Sequence, residues 1–406
     1  MKHFKMKSEM FFPNKIKQDI EGIISLESPP KYESKRNIIL KRGIDKEEYD
    51  EVYEFLRDQN IMSSGNITLF PKDEIARFNR MNSLAILMRG GNNNSLIGTI
   101  FSMMFPVRCT IDAGKIEENS YTKDRIITHG CTSFLNVHSK LRKHGMCMAL
   151  IRELTQYAFE KQIYCSYSLT SFPLSEKSFE ISAWFRPLNL PRSIGLGFSY
   201  PDWSVPSEFV NNKVKYNTKI PKGYVCERVT EGKAQKALEF YISLVSNEDP
   251  TSAKNNNSGA DATKFVFFTN LEFFKKWIQE YATFLVMRKY SEDGSQESKI
   301  PVGIFSLGSI YCRMQTGIDG KLALPLIFKS SLKDPKQKEY SNKVMKCMIY
   351  TANDRDYDTL YMYSVGDMNS ELLKSVNAIE TSTKSYFSLY NNSMTLTAND
   401  LYIPLF

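Results

Sequence analysis

At 406 residues the chain is long for one domain, and its 42% of hydrophobic residues is enough to fill the cores of two. The 53 basic and 45 acidic residues give a net charge of +8 but are interleaved along the chain, so we expect attraction of small anions and no binding of nucleic acid. The seven cysteines are odd in number and form no close pairs, which argues against a disulfide framework or a metal site and favours the reducing cytoplasm.

Residues 1–36 form a predicted N-terminal extension. This stretch contains no apolar run long enough for a signal peptide. Nowhere do about 18 apolar residues follow one another, which is the length that a membrane-spanning helix needs. The sequence therefore predicts a soluble protein without stable membrane insertion, and we expect it to act as a monomer.

Three patterns of predicted elements occur twice, in the same order and at a roughly constant offset. They are a strand followed by a helix (37–60 and 223–245), a hairpin (84–103 and 283–308) and a helix followed by a strand (150–170 and 344–365). In both hairpins a Met-Arg pair ends the first strand, and a glycine, Gly98 or Gly303, lies just before an Ile-Phe-Ser motif in the second. We therefore predict an internal duplication, with units at 37–205 and 206–406.

The stretch TSFLNVHSKLRKHGMCMALIRELT (132–155) begins as a buried strand, continues as a basic turn and ends as an amphipathic helix. Arg142, Lys143 and His144 stand where the helix begins, although that end of a helix already carries unpaired N–H groups and about half a positive charge. A bound anion would resolve this conflict, and Gly145 would let it approach the backbone. The sequence thus predicts a site for a phosphate-bearing cofactor.

Only the first repeat keeps this arrangement. The corresponding stretch of the second repeat, 330–348, contains Pro335 and no glycine. We therefore expect the second unit, or the groove between the units, to hold an acceptor. In the first repeat, Arg142-x-x-Gly145-x-Cys147 resembles the Arg/Gln-x-x-Gly-x-Gly/Ala signature of the GNAT superfamily of acyl-CoA-dependent N-acyltransferases, whose backbone amides hold the pyrophosphate of CoA.

The wider sequence resembles the eukaryotic N-myristoyltransferases. In that family an Asn-Phe-Leu-Cys-Val-His strand leads through a Lys-Leu-Arg turn to a Leu-Ile-Lys/Arg-Glu helix, as SFLNVHSKLRKHGMCMALIRELT does here. The resemblance is strongest over 132–191 and returns at SYFSLYNN (385–392), which is similar to the family's Tyr-Leu-Tyr-Asn-Trp strand. It implies an α/β (α+β) fold of two tandem GNAT-like units related by pseudo-twofold symmetry, with a mixed central sheet flanked by helices. The N-terminal unit would bind acyl-CoA and the C-terminal unit the acceptor.

The same resemblance implies an enzyme that transfers a fatty acyl group, myristoyl in that family, from acyl-CoA to the N-terminal glycine amine of a peptide or protein. Myristoyl-CoA would be the co-substrate, with no metal. A bulge in the strand would turn the backbone N–H groups of Phe134 and Leu135 towards the oxyanion. The residues expected to contact acyl-CoA are Phe134, Leu135, Asn136, Val137, Arg142, Lys143, His144, Gly145, Met146 and Cys147.

The remaining catalytic groups also come from the resemblance. The family's base is the C-terminal carboxylate, here that of Phe406, and five of the last six side chains are apolar, which favours burial of this segment. Ser168 occupies the position of a threonine whose hydroxyl would orient the amine. The sequence departs from the family at Ser133, at Gly145 and at 379–383, where a peptide-contacting Gly-x-Gly-Asp-Gly loop is missing.

Three functions stay open from the sequence. The first is acyl transfer to an N-terminal glycine, as the resemblance implies. The second is GNAT-type acetylation of a small amine, and the third is a non-catalytic descendant that binds an acyl chain or a partner protein. Without the resemblance, Phe134 and Leu135 would be ordinary core-strand residues and His144 a surface residue.

Overall fold

The computed structural model describes residues 37–59, 67–69, 73–81, 83–111, 123–175, 178–196, 219–246, 265–267, 270–290, 298–313, 319–331, 337–390 and 396–405. The predicted N-terminal extension (1–36) and the predicted boundary between residues 205 and 206 lie outside these ranges. The chain divides into two compact units after Glu180. The first also takes in residues 385–390 and Leu405, whereas the second consists of Ile181–Lys384 and Leu396–Pro404.

The first unit contains β1 (Ile38–Arg42), α1 (Tyr49–Gln59), β2 (Ile67–Leu69), α2 (Glu74–Arg80), β3 (Ser83–Gly90), β4 (Leu96–Ile111), β5 (Lys123–Val137), α3 (Met146–Glu160) and β6 (Cys165–Thr170). The elements that follow are β7 (Phe179–Pro187), α4 (Leu190–Gly195), β8 (Tyr224–Arg228), α5 (Ala234–Ser246), β9 (Phe265–Phe267), α6 (Leu271–Glu280), β10 (Ala282–Tyr290), β11 (Ser298–Arg313), β12 (Asp319–Ser330), α7 (Gln337–Asp354), β13 (Thr359–Tyr363), α8 (Ser370–Ser375), β14 (Ile379–Tyr390) and β15 (Leu401–Tyr402). None of these described helices is both long and apolar enough to cross a membrane.

Each unit is built on a mixed sheet. In the first, the strand order is β1-β3-β4-β5-β6-β14, in which β5 and β6 pair in parallel and the other pairs described are antiparallel. In the second, the order is β7-β13-β12-β11-β10-β8, with β12 and β13 in parallel. The parallel pairs are joined by the helices α3 and α7, as parallel neighbours require. The predicted α/β class, with mixed sheet and flanking helices, is confirmed.

The order of elements is the same in the two units: strand, helix, short strand, helix, hairpin, strand, helix, strand. The glycine shared by the two hairpins has the same structural reason in each. A Cβ atom added at Gly98 would lie 3.1 Å from Leu150 of α3, and one added at Gly303 would lie 2.3 Å from Val344 of α7. Each glycine thus lets the crossover helix pack closely on its strand. The duplication itself stays a prediction.

Helix α3 is fixed to the sheet by one apolar face. Met146, Ala149, Leu150 and Leu154 recur at helical spacing and are buried in a cluster that also contains Val137, the last residue of β5. The start of α3 is therefore held beside the end of β5.

His129 lies in β5 with a fully buried side chain (0% exposed), and its Nδ1 atom is 3.1 Å from the carbonyl oxygen of Ile127. Burial lowers the pKa of His129 from its ordinary value of 6.5 to about 4, against the smaller effect of the hydrogen bond. Because the buried site disfavours the charged form, the imidazole is neutral at neutral pH.

We predict that acidification destabilises the protein through His129. The unfolded state takes up a proton near pH 6.5 and the folded state only near pH 4, so the free energy of unfolding falls as the pH drops through this interval. The loss should be about 3 kcal/mol, measured by urea unfolding at a series of pH values. His129→Asn keeps an amide that can donate a hydrogen bond to Ile127 but does not titrate. This variant should lose the dependence of the free energy of unfolding on pH in this interval. Parallel wild-type and variant curves would contradict the prediction.

Candidate functional site

A β-bulge interrupts the pairing of β4 with β5. The register is Thr99 with Asn136 and Phe101 with Ser133, so one residue of β4 faces two of β5. These two are Phe134 and Leu135, and Phe134 has a φ of +52°, which bulky L-residues rarely adopt. A bulge leaves its extra residue outside the regular hydrogen-bonded ladder. The bulge that the sequence analysis expected at these two residues is present.

Three side chains hold Phe134 in this conformation. Its ring contacts Phe78 of α2 and Phe101 of β4 edge to face, with centroids 4.8 and 5.6 Å away. The Thr99 hydroxyl donates a hydrogen bond to the Phe134 carbonyl oxygen at 3.0 Å. A left-handed residue costs about 1–2 kcal/mol and an aromatic pair contributes about 0.5–1.5 kcal/mol, so the contacts are sufficient to offset the strain. The Phe134 side chain is buried, whereas that of Leu135 is 39% exposed.

The N-terminus of α3 is open. The helix follows Gly145, whose φ is +77°, and within this described turn it has neither a capping side chain nor an acidic residue. Lys143 is also left-handed, with a φ of +69°. A Cβ atom added at Gly145 would have no atom within 4 Å, so that side of the turn is open. Exposed N–H groups at the positive end of a helix are suited to binding phosphate.

The basic residues of this turn differ in their contacts. Arg142 donates from Nε to the carbonyl of Val137 at 3.1 Å and from Nη2 to the carbonyl of Gln59 at 2.9 Å. It therefore ties the turn to the ends of β5 and α1, and its charge has acceptors without a bound anion, contrary to the conflict inferred from the sequence. Lys143 and His144 have exposed side chains, which leaves them accessible to a ligand.

The other residues expected to contact acyl-CoA present different groups. Val137 and Met146 are each 3% exposed and lie in the core cluster, so their backbone rather than their side chains can face a ligand. Asn136 is partly buried. Loss of solvation raises the pKa of the Cys147 thiol, against the nearby charge of Arg142, so this cysteine is not an activated nucleophile. Among the described residues, no group of three or more His, Cys, Asp or Glu side chains is arranged to hold a metal ion.

Ser168 lies on β6, the parallel neighbour of β5. It pairs with Thr132 of β5 and with Ser388 of β14. The Ser388 hydroxyl is 2.7 Å from that of Ser178, whose oxygen also accepts the N–H of Ser175 at 2.9 Å. Ser168, on the strand next to β5, is therefore paired with a serine whose hydroxyl belongs to a row with Ser178 and Ser175. This row was not predicted from the sequence, because Ser388 is far along the chain from the other serines and leaves no local signal with them.

Sequence comparison finds no relative: neither a family model nor a curated protein matches the chain. Three crystal structures of Saccharomyces cerevisiae N-myristoyltransferase with bound myristoyl-CoA, one of them also with inhibitors, match with TM-scores of 0.71, 0.73 and 0.73 at 15, 14 and 14% identity. The matches cover 95, 97 and 98% of this chain and 88, 93 and 94% of theirs. The chain has the N-myristoyltransferase fold. At this identity the similarity establishes the arrangement of elements.

One departure from the N-myristoyltransferases now has a structural description. Residues 379–383 align by sequence resemblance with a peptide-contacting loop of that family, and here they form the first residues of β14. These residues are therefore extended here, where the resemblance implies a glycine-rich loop in the family.

The C-terminal segment is buried as far as it is described. Leu401, Ile403 and Leu405 are 1, 5 and 3% exposed, so the predicted burial is confirmed for these residues. Strand β15 pairs in parallel with β9. Phe406, whose carboxylate is the base implied by the N-myristoyltransferase resemblance, lies outside the described residues, and its role stays a prediction.

A buried ion pair of the second unit contacts Tyr402 in the part of this segment that belongs to that unit. Lys329 is 1% exposed, and its Nζ atom lies 3.2 Å from Oδ1 of Asp367 and 3.9 Å from the centre of the Tyr402 ring. The other oxygen of Asp367 accepts the N–H of Ser330 at 3.2 Å. This pair was not predicted from the sequence, although a lysine that ends the apolar run LALPLIFK is a signal that a buried partner exists.

We predict that glycine is tolerated better than alanine at position 134. Phe134→Ala removes the ring but keeps the strain of a positive φ, whereas Phe134→Gly removes both, so the glycine variant should be more stable by about 1 kcal/mol. Urea unfolding of the two variants measures the difference. Phe387 is the matched control, because it is fully buried (0% exposed) and pairs regularly with Leu169. There alanine should be the more stable; glycine ranking below alanine at both positions would rule out strain at Phe134.

Proposed function

We propose that this protein is an acyl-CoA-dependent N-acyltransferase that moves a fatty acyl group, specifically myristoyl, to the N-terminal glycine amine of a peptide or protein. The observation that carries the proposal is the bulge at Phe134 and Leu135. N–H groups that a bulge frees from the strand ladder, close to a turn suited to anion binding, can stabilise the oxyanion that forms when an amine attacks a thioester. The N-myristoyltransferase fold, and the myristoyl-CoA bound in its yeast examples, support this choice of acyl donor.

Acyl-CoA is assigned to the end of β5 and the start of α3. Its pyrophosphate would accept N–H groups of the turn at Gly145 and of the first residues of α3, and the side chains of Lys143 and His144 would add positive charge. Its thioester carbonyl would lie at the bulge. The apolar cluster beneath α3 holds the start of that helix beside Val137, and Phe78, Phe101 and Thr99 hold the bulge, so the pyrophosphate and the thioester would each meet preformed backbone groups.

The proposed reaction is direct transfer. The ammonium group of the glycine gives one proton to the base, and the resulting amine attacks the thioester carbon. The carbonyl oxygen becomes an oxyanion stabilised by the N–H groups of Phe134 and Leu135, each worth about 3 kcal/mol. The C–S bond then breaks, the thiolate of CoA takes up the second amine proton, and an amide remains. Ser168 is proposed to orient the amine, and the Phe406 carboxylate is the proposed base.

Gly145→Val should weaken the binding of myristoyl-CoA by about 10- to 100-fold, because a branched side chain blocks access of phosphate to the N–H groups and removes hydrogen bonds worth about 1.5–3 kcal/mol. Isothermal titration calorimetry measures the affinity. The added Cβ atom meets no neighbour, so the cost to folding is limited to the backbone strain of a side chain at positive φ.

The matched control for this variant is Gly223→Val. Gly223 has a φ of +80° and likewise has no atom within 4 Å of an added Cβ, so valine introduces the same backbone strain in the second unit. This control should bind myristoyl-CoA as the wild type does. Equal affinities of the two variants would remove the phosphate site from the turn before α3.

Residues appended after Phe406 convert its carboxylate into a neutral amide, which cannot accept a proton. If this carboxylate is the base, turnover should fall by about 10² to 10⁴ while the affinity for myristoyl-CoA stays unchanged. With a glycine-initiated peptide as the acceptor, turnover is measured by the release of free CoA thiol. An acetyltransferase with a side-chain base would tolerate the extension, and a non-catalytic acyl-binding protein would show no turnover in either form.

A further inference from the structure

We propose that Thr99 is a positioning residue for acyl transfer, and that it orients the Leu135 N–H through the neighbouring Phe134 carbonyl. The inference rests on the proposed function, since it assigns the Leu135 N–H a part in the reaction. Thr99 is fully buried (0% exposed), and its hydroxyl donates to the Phe134 carbonyl oxygen at 3.0 Å. A residue so placed acts on the reaction through the backbone that it holds.

The geometry of the peptide group connects the two atoms. The carbonyl of Phe134 and the N–H of Leu135 belong to one planar trans peptide group, in which C=O and N–H point in opposite directions. Because the Phe134 carbonyl is held against Thr99 in the interior, the Leu135 N–H points away from Thr99. Leu135 itself is 39% exposed. A hydroxyl that donates to the carbonyl also polarises the peptide group, which strengthens its N–H as a donor.

Aromatic packing selects the same backbone conformation. Phe78, Phe101 and Phe134 contact one another pairwise, with centroid distances of 4.8, 5.6 and 6.2 Å. A change of Phe134 to the extended conformation of a regular strand would move its ring out of this triad. The rings therefore keep the carbonyl within reach of Thr99, and Thr99 determines the final direction of the peptide group.

The second unit shows that the fold itself does not need the hydroxyl. Gly303 corresponds to Gly98 in the repeated hairpin, and beside it Ile304 stands where the first unit has Thr99. Ile304 is also fully buried (0% exposed). No residue of β12, which the structure describes over its whole length of 319–330, has a positive φ. The Thr99 hydroxyl is thus present in the unit that has the left-handed Phe134, and no hydroxyl is at the corresponding position of the unit whose fully described β12 lacks such a residue. This links Thr99 to the site.

The test compares two variants of Thr99 with a matched control. Thr99→Val keeps the shape without the hydroxyl, and Thr99→Ser keeps the hydroxyl. Thr283 provides the control, because it is fully buried (0% exposed) and donates to the Tyr281 carbonyl at 3.1 Å. With myristoyl-CoA and a glycine-initiated peptide, T99V should lower kcat about 10- to 100-fold with KM for myristoyl-CoA within about twofold, whereas T99S and T283V should keep kcat within about threefold.

A second measurement does not need turnover. Labelling with carbonyl-¹³C phenylalanine and ¹⁵N leucine marks the three Phe-Leu pairs of the chain, at 55–56, 134–135 and 284–285. The amide resonance of Leu135 should move in T99V and stay in place in T99S and T283V. An unmoved resonance in T99V, or a kcat for T99V equal to that of T283V, overturns the proposal. If the wild type turns over no acyl-CoA, the proposed function fails, and the resonance then decides whether Thr99 orients the peptide group.

Discussion

The site depends on one peptide group, between Phe134 and Leu135, whose direction a regular strand would not allow. Strands use their N–H groups to bind neighbouring strands, so a strand can offer one to a ligand only where the ladder is interrupted. The left-handed Phe134 creates that interruption, and its strain persists because buried rings and the Thr99 hydroxyl hold it. The chemistry proposed for the protein requires this group to stay in place.

The site also depends on the close packing of α3 against the sheet. Gly98 leaves room for Leu150, so the helix lies directly on β4, and Gly145 lets the chain enter the helix from a left-handed turn. Arg142 then closes the turn against carbonyl groups at the ends of β5 and α1. The bulge and the helix N-terminus are therefore both fixed by contacts within the first unit before a ligand binds, which is the preorganisation that electrostatic catalysis requires.

The second unit repeats the order of elements, but its buried polar groups make a different kind of contact. Instead of a strained strand residue it contains the ion pair of Lys329 and Asp367, with Tyr402 against the ammonium group. Removing one member of a buried pair leaves an uncompensated charge and typically costs about 3–5 kcal/mol, so both members are needed for the stability of this unit. Tyr402, four residues before Phe406, thereby contacts the pair within the second unit.

Local sequence patterns were enough to predict the three repeated pairs of elements and the glycine-containing basic turn before α3, because periodicity and turn residues report the immediate environment of a residue. They did not predict the short strand and the helix that precede the hairpin in each unit, β2 with α2 and β9 with α6. The bulge was expected only through the family resemblance. Partners distant in sequence needed the tertiary structure: Thr99 with Phe134, Lys329 with Asp367, and Arg142 with its acceptor on Gln59. These contacts depend on strand register and on helix packing, and no single segment specifies either, since a shift of one residue in register would exchange the buried and exposed faces of a strand.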